Sequence, residues 1–311
     1  MKINLKATIL IVALATSLGA CKKDNSDEPN LKLEEKSELN LSYGTSALQK
    51  MDVYLPANRT TETKLIIFVH GGSFIGGDKD DYTFLVKELV KSNFAVVNVN
   101  YRLVDATGLY ETPVTRIESA VKIKDQVNDV ATIVDFVRGK AKEWNISDSK
   151  IALAGHSAGA SLALLYTYDS RNTNKVKTVV NLAGALDQTF GDFPAFLLPF
   201  LPAYILEAGY RYTGYPVATA NEQHYQAISP LYVANAAQKV PTLTVFPENN
   251  SVGDLPKQDR AAFDNFTNKL NSLGVPNKFV QVAGANHEFS RPQDVAVVLK
   301  ETIDYVNANV K

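Results

Sequence analysis

Ser157 lies in Ala154-Gly155-His156-Ser157-Ala158-Gly159-Ala160, between the apolar runs KIALA and SLALLY. A serine hydroxyl becomes a nucleophile only when the backbone presents it and a base takes its proton. Gly-X-Ser-X-Gly does the first, because a sharp strand-to-helix turn tolerates only small residues on either side of a strained serine. The same turn leaves the N–H of Ala158 at a helix N-terminus, where it can face a developing oxyanion. The plainer alternative is a turn serine that caps the helix. A second oxyanion donor can come from Val69-His70-Gly71-Gly72-Ser73-Phe74, where Gly71 or Gly72 can turn an N–H inward and His70 braces the turn. Gly-Gly after a strand is also ordinary loop punctuation, although here it precedes the serine motif. His287, in GANHEF after the last strand-like run, is placed to act as the base. The other three histidines, His70, His156 and His224, form no metal-ligand spacing, so no metal and no cofactor is expected.

These residues need a frame. LIIFVH (65–70), FAVVNVN (94–100), KIALAG (150–155), VKTVVNLAG (176–184), PTLTVF (241–246) and NKFVQVAG (277–284) are nearly continuous apolar strands, as expected when helices cover both faces of a sheet. Residues 117–144, 158–168, 257–273 and 293–310 carry helical spacing between and after them. The alternation predicts an α/β fold with a mostly parallel central sheet, led by an antiparallel pair within 41–57. The stretch 187–222 breaks the alternation. It is dense in Phe, Leu, Pro and Tyr and is expected to form a small cap over a pocket, the alternative being a buried connection.

The chain of 311 residues can bury a large core, and one domain over 40–311 is expected. A net charge of −1 leaves no basic stripe to neutralise phosphates, which sets nucleic acid aside as a partner. The single cysteine, Cys21, ends a segment with Lys2 and Lys6, an apolar run from Ala7 to Leu18, and then Leu18-Gly19-Ala20-Cys21. That is the pattern of a signal peptide over 1–20. Leu-Gly-Ala-Cys resembles the lipobox of bacterial lipoproteins, which implies that Cys21 is acylated and ties the protein to a membrane. Between Lys22 and Leu39, ten of eighteen residues are Asp, Glu or Lys, so 21–39 reads as a charged tether. The expected location is the cell envelope, at the outer membrane or the cell surface.

The ordered motifs DVYLP, HGGSF, NYRL, GHSAGA, SPLYV and GANHEF resemble the carboxylesterase and lipase branch of the α/β-hydrolase family, especially secreted bacterial acetyl and feruloyl esterases. The resemblance runs from about residue 48 to the C-terminus. It implies ester hydrolysis through an acyl-serine, with Ser157 as nucleophile, His287 as base, and Gly71, Gly72 and Ala158 lending N–H groups. The substrate would be an external ester such as an acylated glycan, a phenolic ester or a short acylglycerol. Two departures stand out. Ala160 replaces a frequent second glycine, and Phe246-Pro247-Glu248-Asn249-Asn250 puts Asn250 where the family carries its acid. Asp254 is the first replacement expected, then Glu248, then Asp187, unless all three are surface carboxylates. If none serves, the competing reading is a binding protein that has kept the fold and lost the acid.

Overall fold

The computed structural model describes residues 33–253 and 255–311. Cys21, the signal segment, most of the expected tether and Asp254 therefore lie outside the described residues. The tether ends earlier than expected, because Lys36–Ser42 forms the first strand, β1, with Lys36 opposite Leu55 of β2 (Lys50–Leu55).

The remaining strands are β3 (Leu65–Val69), β4 (Ala95–Val99), β5 (Ile151–His156), β6 (Val176–Leu182), β7 (Thr242–Asn249) and β8 (Asn277–Asn286). They join in the order β1-β2-β4-β3-β5-β6-β7-β8, with the β1–β2 and β2–β4 pairs antiparallel and the remaining pairs parallel. The helices are α1 (Thr83–Lys91), α2 (Ile123–Trp144), α3 (Ala158–Thr167), α4 (Ala203–Thr213), α5 (Glu222–Gln226), α6 (Pro230–Val233), α7 (Arg260–Ser272) and α8 (Pro292–Asn309). Alternation along β3 explains the layering. Leu65, Ile67 and Val69 pack with residues of α2, α3 and α7, whereas Ile66 and Phe68 face those of α1 and α8. Helices thus cover both faces, as the unbroken apolar strands require. Helix α1 had no counterpart among the expected elements.

Local chemistry sets the helix ends. Asp259 accepts the Ala262 N–H at the start of α7, and Asn145, at φ 52°, closes α2 in the left-handed region. The chain reverses its direction of travel across the sheet at β3, which lies between β4 and β5. In open parallel sheets the crevice at the carboxyl ends of such strands is where ligands bind.

The expected cap lies between β6 and β7, with Phe190, Leu198, Ile205 and Tyr225 forming a small apolar cluster of their own. Its α4 is tied down by Arg211, which is fully buried. Arg211 pairs with Glu207 at 2.8 Å and donates to the carbonyls of Asp105, Thr107 and Thr115. Removing one member of such a buried network strands its partners. Arg211→Met is therefore expected to cost about 3 kcal/mol in urea unfolding, and a loss below about 1 kcal/mol would contradict this role.

Candidate active site

Ser157 follows β5 directly and caps α3 with φ 52° and ψ −124°, a conformation that costs a non-glycine residue roughly 1–3 kcal/mol. Its neighbours show why small residues flank it. A Cβ at Gly155 would lie 2.6 Å from the Gly159 carbonyl, and one at Gly159 would lie 2.2 Å from the Val69 oxygen of β3. Ala160 is tolerated because Gly184 stands opposite: a Cβ there would be 3.0 Å from the Ala160 methyl.

The loop that follows β3 is held in an unusual shape. Gly72, Ser73 and Phe74 all have positive φ, at 123°, 51° and 66°. Side chains hold this path by binding its carbonyls: Tyr212 Oη donates to Ser73 at 2.8 Å and Gln126 Nε2 to Phe74 at 2.7 Å. The loop lies against the serine, since a Cβ on Gly71 would come within 3.2 Å of Ser157 Cβ. Gly71 departs from the expectation that it donates to an oxyanion, because its N–H already donates to Tyr82 Oη at 3.3 Å. Of the two glycines expected to donate, Gly72 remains the candidate. Ala158 opens α3, so its N–H has no carbonyl one turn earlier within the helix. His70 braces the turn as expected, with Nδ1 2.6 Å from the Gly71 carbonyl and its ring stacked on Tyr101.

His287 is buried just past β8, and Asn250 Oδ1 lies 2.6 Å from its Nδ1. The orientation of that amide is fixed by its other end. Asn250 Nδ2 donates to the Gln258 carbonyl at 2.7 Å, and a carbonyl can only accept. Oδ1 must therefore accept from His287, so Nδ1 carries the proton and Nε2 is left with its lone pair. Burial first, and then the neighbouring His156, lower the His287 pKa to about 3.

The carboxylates expected to replace the acid are committed elsewhere. Glu248 accepts the Gly284 N–H at 2.6 Å and a Gln281 amide N–H at 3.3 Å. Asp187 accepts from Lys257 at 2.9 Å and from Thr189. Neither is the partner of His287, and Asp254 is outside the described residues. Tyr82 and Gln258 went unnoticed in the sequence, and His156 was noted only as a histidine without a metal-ligand spacing. Only His156 carried any signal, as the variable residue inside the serine motif.

Ser157 lies where two cavities meet. One, of about 440 Å³, is floored by Ala158 and walled under the cap by Tyr110, Phe190, Tyr204, Ala208, Tyr212 and Tyr225. The other, of about 430 Å³, holds His287, Gly71, Gly72, Phe84 and Glu288. Serine and histidine thus share one cleft, and the serine alone of the two opens onto the aromatic chamber.

Comparison with known proteins agrees with this architecture. Residues 51–196 match the family model described as BD-FAE. The chain is 30% identical over 178 residues to a juvenile hormone esterase of Heliothis virescens, covering 57% of this chain but only 30% of that protein's length. It is 27% identical to a kynurenine formamidase of Danio rerio, covering 80% and 74% of the two chains. A truncated carbohydrate esterase from gut microbiota superposes with a TM-score of 0.67 at 18% identity, covering 88% of this chain and 95% of the other. The chain has the α/β-hydrolase fold. Against the family that its motifs resemble, the departure is the amide of Asn250 beside His287.

That departure can be measured without an activity. In a ¹⁵N titration, the His287 imidazole is expected to be the Nδ1–H tautomer and to stay neutral from pH 8 down to about 5, well below the usual histidine value near 6.5. Protonation of His287 at about pH 6.5 would contradict the neutral, buried pairing.

Proposed function

We propose that this α/β-hydrolase is a serine-dependent carboxylic ester hydrolase that works through an acyl-Ser157 intermediate on an extracytoplasmic ester. The observation that carries the reading is the series Gln258 carbonyl, Asn250 amide, His287 imidazole, set in the same cleft as a strained serine. An asparagine in the acid position of serine proteases costs about 10⁴ in turnover because it favours the wrong tautomer. The Gln258 carbonyl removes that fault here. What Asn250 cannot supply is negative charge, so the imidazolium formed during attack is less stabilised than beside a carboxylate.

In this mechanism His287 Nε2 takes the Ser157 proton as Oγ attacks the ester carbonyl. The N–H groups of Ala158 and Gly72 receive the oxyanion. His287 then returns the proton to the departing alkoxide, and water repeats the sequence on the acyl-serine. Because the proton must pass from His287 to the leaving oxygen, the alcohol belongs in the cleft that His287 lines. The acyl group then occupies the aromatic chamber, whose walls suit an apolar or aryl acid. An acylated glycan, a phenolic ester or a short acylglycerol meets these terms. A lipid anchor on Cys21 would hold the enzyme at the cell envelope.

A second reading, a binding protein of this fold, is favoured by Asn250 alone. Hydrolysis of p-nitrophenyl acetate and butyrate by residues 22–311, with fluorophosphonate labelling, separates the two. Turnover and labelling are both expected, and Ser157→Ala is expected to abolish labelling and lower turnover by at least about 10³-fold. Absence of both in the unaltered chain would favour the binder. In the same assay, Ala208→Trp should fill the chamber and turn preference from butyrate towards acetate. An unchanged ratio would contradict the assignment of the acyl side.

A further inference from the structure

Three loops from three strand ends meet at the site, and one pair of side chains joins them. Gly71 N–H donates to Tyr82 Oη at 3.3 Å, Tyr82 Oη lies 2.8 Å from His156 Nδ1, and His156 Nε2 lies 2.8 Å from the His287 carbonyl. The proton positions follow from chemistry. A carbonyl only accepts, so His156 Nε2 carries the proton. Burial lowers the His156 pKa, which keeps the ring neutral, so its Nδ1 accepts from the Tyr82 hydroxyl. Each group in the series uses its donors and acceptors once, without conflict.

We propose that Tyr82 and His156 are positioning residues that fix the base loop against the oxyanion loop, a role that rests on the ester-hydrolase reading. His287 is held at two points: its ring by Asn250 and its own backbone by His156. The second point sets where the imidazole starts from, and the first sets how it turns. The far end of the strut is anchored in the sheet. Tyr82 ends the short helix Lys79–Tyr82, and Lys79 is buried against Asp52 of β2 at 3.1 Å. The Lys79 N–H also donates to Asn100 Oδ1, and its carbonyl accepts from Asn98. The strut therefore connects the base to the rigid core.

His156, His287 and Glu288 also offer atoms within 4.8 Å of one another, a spacing that could suggest a metal. Both His156 nitrogens and Nδ1 of His287 are already hydrogen bonded, which leaves fewer than the three protein ligands that a catalytic zinc needs. The Glu288 carboxylate is exposed and 3.9 Å from His156 Nδ1, which Tyr82 already serves.

The test compares the unaltered chain with Tyr82→Phe, His156→Phe, the double variant and His156→Gln, which keeps a donor for the His287 carbonyl. Each is read by p-nitrophenyl acetate kinetics and by the hydrogen-bonded Nδ1 proton of His287 in NMR, with thermal unfolding as the control for folding. Tyr82→Phe and His156→Phe are each expected to lower kcat by about 10-fold to 100-fold with KM changed less than about 2-fold, since misplacing a reacting group weakens turnover more than binding. The double variant should be no worse than the poorer single one, and His156→Gln should recover most of the loss. The Nδ1 proton signal should broaden in the Phe variants and persist in His156→Gln. Additive losses, kcat within about 2-fold of the unaltered chain, or an unchanged Nδ1 signal would overturn the proposal. If the unaltered chain neither labels nor turns over, the ester-hydrolase reading fails, while the NMR signal still decides whether the strut fixes His287.

Discussion

Gly159 is where the first turn of α3 meets the carbonyl end of β3: an added Cβ would stand 2.2 Å from the Val69 oxygen and 2.3 Å from the His70 oxygen. That approach sets the geometry of the serine turn against the loop after β3. It brings the serine turn against the strand whose next residues are His70 and Gly71, so Gly71 and Ser157 come together without any further element to align them. It also forces Ser157 into positive φ, a strain that persists because the surrounding sheet, with β3 paired on both sides, cannot yield. A loose turn would relax that dihedral and point the hydroxyl away from the cleft.

His287 is positioned by different means, since it follows β8 at the far edge of the sheet. Its support is hydrogen bonding, with Asn250 at the ring and His156 at the backbone. An amide in place of a carboxylate changes the electrostatics more than the geometry. A buried imidazole beside a carboxylate has its cation stabilised, whereas beside an amide it meets only the cost of burial, which lowers its pKa. The site thus holds a buried imidazole that resists protonation. Gln258 is essential to this balance, since its carbonyl turns the Asn250 oxygen towards His287.

The parallel strands could be read from the sequence because each is largely apolar, and the serine, the histidine and the glycine pair because each follows a strand at its carboxyl end. Asn250 was readable as an anomaly for the same reason. The consequence of the anomaly was not, since it depends on Gln258, eight residues along an irregular loop, whose contribution is a backbone oxygen that any residue would provide. Tyr82 was hidden in KDDY, where nothing in the residue types points at a histidine 74 positions away. Helix α1 was missed because TFLVKELVK is too short for helical spacing to stand out beside the strand that follows it.

The buried polar groups near the site fall into one pattern. Arg211 joins the cap to three carbonyls of a loop, Lys79 joins a short helix to Asp52, and His156 joins two loops, while the apolar strands between them need no such ties. Apolar packing is nearly indifferent to small displacements along a surface, whereas a buried hydrogen bond left unmade costs about 1–3 kcal/mol. Irregular segments at strand ends have too little apolar area to fix themselves by packing. In this molecule directional bonds from buried side chains do that work, and they are concentrated around the cleft that Ser157 and His287 share.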